Sequence, residues 1–337
     1  SYGHYNATVF DGADQIIDAT DFEDVIFSGT GTKFLNGHIN LGGFLTIGET
    51  ATLDVSPDGG VTSYNITIEE HWNNNLYNVD SSSTGVFIPR TGTVTFVGEW
   101  SNIYTGDSID ADGNGIPGKA FYNLVINNAS INYWTRLYPQ EDVDDVNVKI
   151  PNDLKVENDF TLNSGLFYSY WNHVHVGGDF KNIGGNLNLN THRSQAPVLY
   201  LEGTGIHEFD AGSTHTVRRV EVTKGGTYNL LGDLTMVGDN LNTALLVSDG
   251  KLDLNHNLLK INSNTGNLTI GVDGEIEIDS LAQLQMRSGR TITNNGIFKL
   301  VGTENGPAIL STISGTFSFV QDAGTFHAKY YTIENTN

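Results

Sequence analysis

Leu154-Lys155-Val156-Glu157-Asn158-Asp159-Phe160-Thr161-Leu162 contains two short alternating runs on either side of a polar corner. Leu154 and Val156 are the apolar positions before the corner, Phe160 and Leu162 those after it. Period-two spacing puts each pair on one face of a β-strand. Strands this short cannot bury a face alone, so they need neighbours of the same kind. The arrangement returns at Tyr228-Asn229-Leu230-Leu231-Gly232-Asp233-Leu234-Thr235-Met236, and a related corner stands at Gly177-Gly178-Asp179. Two further strand types recur in the same order. Val94-Thr95-Phe96-Val97-Gly98 is echoed by Val198–Gly203 and Phe298–Gly302, and Phe121–Ile126 by Val217–Val222.

Outside these stretches the alternation continues, as in Phe44–Ile47, Lys251–Leu254 and Glu275–Ile278. From Leu245 to Phe326 a strand recurs about every 8–12 residues. No 3.6-residue stripe is present, so the chain reads as all-β. Regular short strands fit a sandwich, a barrel or a β-solenoid. The unbroken pattern, the Gly and Asn corners and the self-similarity favour a parallel β-helix with loop insertions; tandem β-sandwich domains are the competing reading. Coils of ~20–25 residues at ~4.8 Å per layer are expected, with corner Asn residues bonded to one another in columns. One continuous domain, 1–337, is expected: N-terminal coils over 1–91, a first block over 92–190, a second over 197–262 and degenerate coils over 263–337.

Composition narrows the function. Hydrophobic residues make up 38% and charged residues 17%, which excludes a disordered chain. The 39 Asp and Glu against 17 Lys and Arg give a net charge of −22 and no basic cluster. Nucleic acid and anionic bilayers are therefore unfavourable partners. Cations, neutral sugars and basic proteins stay open. With no cysteine, disulfide scaffolds, zinc thiolates and thiol catalysis are excluded. No run of 18 apolar residues occurs, so no membrane insertion is expected. The chain opens at Ser1 and reads as a mature or excised segment.

The strand types of Val94–Gly98, Phe121–Ile126, Leu154–Gly165 and Val198–Gly203, and more weakly Val217–Met236, resemble the β-helical repeats of large bacterial cell-surface and secreted proteins, especially type IX secretion-exported and adhesin-like ones. The resemblance covers about half of the chain and rests on structural residues. It implies a right-handed parallel β-helix and an extracellular or cell-surface location. It carries over no catalytic residue.

The first block exceeds the second at 99–118 and 130–150, and insertions in a solenoid become loops where function is placed. Asp110, Asp112 and Asn114 stand at positions 1, 3 and 5 of a loop with the oxygen spacing of a calcium site. The acid expected at position 12 is replaced by Phe121, so completion by Asp107 or the Glu141–Asp145 cluster is required. A solvated turn is the alternative. The second insertion is dense in aromatics, and Tyr104, Tyr168, Tyr170 and Trp171 add to them. Trp100, Tyr133, Trp134, Arg136 and Tyr138 are the candidate glycan contacts, since rings stack on pyranose faces while polar groups take the hydroxyls. Rings that merely seal loops against the coil body are the competing reading. His173 and His175 share a strand face and read as surface histidines. A polysaccharide lyase would have to draw its base from Arg136, Arg218, Arg219 or Lys224, whereas a glycoside hydrolase would need a pair of acids, which the many Asp and Glu do not single out. No G-x-S-x-G, H-E-x-x-H or phosphate loop is present. The expected function is a non-enzymatic, exported module for adhesion or glycan binding, stabilised by Ca²⁺, with glycans or cell-surface proteins as partners. A lyase, a hydrolase or a pure spacer is the alternative.

Overall fold

Alternation becomes architecture when every second side chain faces the same interior. Val25, Phe27, Leu45, Ile47, Trp72, Ile103, Leu137 and Phe167 are all buried, and their strands pair one on the next. The computed structural model describes the chain apart from residues 1–6, 19–20, 49, 75–84, 106–117, 138–139, 142–148, 151–152, 171, 190–196, 214, 238–241 and 336–337, and gives only the backbone of 140–141 and 149–150. The chain falls into two compact units, Ser1–Val174 and His175–Asn337. Each is wound as a right-handed parallel β-helix built on three parallel sheets, with a repeating pattern in which a strand pairs with the one three later. No helix among the described residues is long and apolar enough to cross a membrane.

In the first unit, one sheet stacks Val25–Phe27, Leu45–Ile47, Trp72–Asn73, Trp100–Tyr104, Trp134–Leu137 and Leu166–Tyr168 in parallel. A second stacks Gln15–Asp18, Thr32–Asn36, Thr52–Asp54 and Val86–Ile88. A third runs from Asp21–Phe22 through Ile66–Ile68 and Thr93–Phe96 to Phe160–Ser164. Sandwiches are built from antiparallel strands. Here, among the described strands, antiparallel pairing is confined to Gln140–Glu141 with Lys149–Ile150, so the sandwich alternative fails. In the second unit, two long strands, Thr243–Asp253 and Asn267–Ile278, pair with each other and bend through two sheets at once.

Coil length varies more than the expected 20–25 residues. Stacked neighbours are 20 residues apart at Asp24 and Phe44 but 34 apart at Asn102 and Arg136. Strands separated by these different lengths still pair in parallel with their neighbours.

The corners carry two devices. In the first, an Asp or Asn at the entry to a strand accepts an N–H from the next coil. Asp24 takes Phe44 N at 3.0 Å, Asp153 takes His173 N at 2.6 Å, Asp179 takes Glu208 N at 2.9 Å and Asp233 takes Leu258 N at 2.8 Å. Asn-to-Asn bonding does occur, as Asn158 to Asn123 at 2.9 Å, but the repeated device is side chain to backbone. It satisfies N–H groups that the corner leaves outside the sheet.

The second device is a column of glycines in the second unit. A Cβ on Gly226 would lie 2.0 Å from Gly203 O, one on Gly250 2.4 Å from Gly226 O, and one on Gly324 2.2 Å from Gly296 O. Each carbonyl fills the space that a side chain on the next coil would need. Gly226→Ala is therefore expected to cost about 1–3 kcal/mol through overpacking. Gly205→Ala, whose Cβ would meet only the His207 ring at 3.4 Å, should stay within about 0.5 kcal/mol of the parent. Chemical denaturation midpoints measure both; equal midpoints would refute the close-approach account.

Candidate functional site

Inward packing decides which side chains are left outside. Ser101 and Ile103, Thr135 and Leu137, and Phe167 are buried inward. Alternation then turns Trp100, Asn102 and Tyr104, Trp134 and Arg136, and Leu166 and Tyr168 outward. Register aligns them across coils, Trp100 with Trp134 with Leu166, and Asn102 with Arg136 with Tyr168. Three successive coils of the first unit thus present an aromatic face with a polar column through it.

Arg136 organises that face. Its Nε donates to Asn102 Oδ1 at 2.5 Å and its Nη1 to Tyr170 OH at 2.9 Å. The guanidinium carbon sits 4.1 Å from the Trp134 ring centroid and 5.8 Å from that of Tyr170. Cation–π contact of this kind contributes about 0.5–2 kcal/mol. Trp134 and Trp100 are nearly parallel, at 15°, with centroids 6.4 Å apart, an offset-stacked pair. Trp134 is braced between Trp100 and Arg136, whereas Trp100 is 60% exposed. Asn102 is covered, and its N–H donates to His71 Nδ1 at 3.2 Å. Tyr168 and Tyr170 lie 4.2 Å apart, and burial, then the neighbouring phenol, pushes the Tyr168 hydroxyl pKa up. Tyr170 holds φ at 56°, a left-handed conformation that is uncommon for a bulky residue.

Of the expected contacts, Trp100, Trp134 and Arg136 come together. Tyr133 stands just before the second strand, where its hydroxyl bonds Glu99 and its pKa is raised by that carboxylate. Tyr138, Asp110, Asp112 and Asn114 lie outside the described residues. Among the described residues, no group of three or more His, Asp or Glu side chains is placed to hold a metal ion. Trp100–Tyr104 and Trp134–Leu137 are not loop residues, as the insertion reading expected; they are strands of the regular sheet. Asn102, Tyr168 and Tyr170 were not among the expected contacts. Their signal is a coil-to-coil repeat, Trp100-Ser101-Asn102-Ile103-Tyr104 against Trp134-Thr135-Arg136-Leu137-Tyr138, which places a polar residue between two rings.

A second polar cluster lies in the second unit. His175 Nδ1 and Glu202 Oε1 are 2.6 Å apart, both buried, and Tyr200 stacks on the imidazole at 4.2 Å. His175 is therefore not the surface histidine expected; Glu202 on the next coil draws it in. Lys224 lies 3.2 Å from Glu202 Oε2, and Arg219 pairs with Glu221. A base drawn from either cation would first have to leave its carboxylate. Tyr228 OH accepts Gly203 N at 2.6 Å and donates to Val176 O at 3.3 Å, and burial pushes its pKa up.

No protein-family model matches the chain, and no curated protein or solved structure does either.

Tyr228→Phe would leave the Gly203 N–H buried without its acceptor. The expected cost is about 1–3 kcal/mol, read from the denaturation midpoint. A variant as stable as the parent would show that this bond does not hold the corner.

Proposed function

We propose that the chain is a non-enzymatic, exported β-helix module of a bacterial surface or secreted protein, and that it binds glycan on the aromatic face of its first unit. One observation carries the reading: three coils in register set Trp100, Trp134, Tyr168 and Tyr170 around Arg136 and Asn102. A ring that sealed a loop would be covered; Trp100 keeps more than half of its surface open. Apolar ring faces beside amide, guanidinium and phenol groups match the apolar faces and hydroxyl edges of a pyranose. The acid-rich composition disfavours nucleic acid as a partner and leaves neutral sugars open.

The reading predicts that a glycan array probed with the chain gives a discrete set of hits. Trp100→Ala should weaken them by about tenfold or more, a change of about 1.4 kcal/mol or more. Hits that survive Trp100→Ala unchanged would remove this face from the binding site. No hits at all would leave a spacer role.

Bound Ca²⁺ at Asp110, Asp112 and Asn114 is part of the proposal and rests on their oxygen spacing. Saturating Ca²⁺ should raise the melting temperature above that in chelator, because an ion bound only by the folded chain stabilises it. Identical melting curves would count against the ion.

A further inference from the structure

We infer, on the basis of the glycan-binding reading, that the ligand is a flat, extended chain of β-1,4-linked pyranoses with equatorial substituents, lying across the strands along the coil axis. The repeat direction of the site carries this. Along a strand the outward residues change type at each step, from Trp100 to Asn102 to Tyr104. Across the coils, apolar side chain follows apolar side chain from Trp100 to Trp134 to Leu166, and polar side chain follows polar side chain from Asn102 to Arg136 to Tyr168. A ligand with a repeat of its own is therefore met by like groups only if it runs along the axis.

The spacing then selects the sugar. Successive coils are ~4.8 Å apart, close to the rise of one sugar in a β-1,4 ribbon. With all substituents equatorial, both faces of each ring are C–H surfaces that suit aromatic contact, and the hydroxyls lie at the ribbon edges. The edge over this column meets the Arg136 guanidinium and the Tyr168 phenol, while the covered Asn102 holds Arg136 in place. Arg136 is already held by Asn102 and Tyr170, so little ordering cost remains on binding. An α-1,4 chain curls, and its rings leave the register of the coils after the first contact. The face spans three coils, from Trp100–Tyr104 to Leu166–Tyr168, so it accommodates about three sugars in line.

The test is calorimetric titration of the full chain with cello- and chito-oligosaccharides from monosaccharide to hexasaccharide, with the malto-oligosaccharide series as the α-linked comparator. In at least one β-1,4 series, affinity should rise about tenfold or more from disaccharide to trisaccharide and then level off, with maltohexaose at least about tenfold weaker. In Trp100→Ala, which alters an exposed position, the plateau should arrive one sugar earlier. Malto-oligosaccharides binding as well as the β-1,4 series, or no gain beyond the disaccharide, would overturn the inference while leaving a glycan-binding face. Failure of every sugar here and on the array would overturn both readings.

Discussion

The spacing between coils governs this molecule. Parallel strands hydrogen-bond only when they lie ~4.8 Å apart, and every turn of the chain must return to that distance. Along the sheets, alternating apolar side chains meet the requirement without difficulty. At the corners the backbone itself must fit, and there the second unit uses glycine over glycine, with a carbonyl occupying the space of the missing Cβ. Where glycine is not used, an Asp or Asn oxygen takes the N–H that the bend exposes. The abundance of Gly and the preference for Asp before strands are two answers to one constraint.

The acidity of the chain has partly the same origin. Asp24, Asp153, Asp179 and Asp233 are backbone acceptors first and surface charges second. Other acids belong to ladders between coils, where Lys251 meets Glu277 and Lys299 meets Glu275. Such part-exposed pairs contribute little individually. What they do is set lysines between carboxylates that face one another across the short coil spacing, as Asp253 and Glu277 do. Net charge therefore excludes partners more reliably than it identifies one.

Strand identity was legible because Leu154, Val156, Phe160 and Leu162 repeat a pattern that only a β-strand explains. The echo of 154–162 in 228–236 marks a kind of corner, a polar bend with Asp before the second strand. The site was half legible. Trp100, Trp134 and Arg136 stood out by type, but they looked like loop residues because the coils around them are longer than the others. Once coil length is free to vary, Trp100–Tyr104 and Trp134–Leu137 read as the same strand one turn apart. His175 was misplaced for a different reason: its partner Glu202 is 27 residues away, and no local pattern announces a buried hydrogen-bonding neighbour at that distance.

The central claim is that coil register sets distant residues side by side, and the absence of cysteine makes it directly testable. Thr95 and Val125 are paired in register on outward positions of the first unit. A Thr95→Cys/Val125→Cys double variant should close a disulfide under mild oxidation, because paired parallel strands fall within the reach of the bond, about 4.4–6.8 Å between Cα atoms. Thr95→Cys/Asn123→Cys, displaced two residues along the strand, should stay reduced. Mass spectrometry under non-reducing conditions distinguishes them. Bridging of the first pair alone is the predicted result; bridging of the displaced pair, or of neither, would contradict the stacked-coil register on which the proposed site depends.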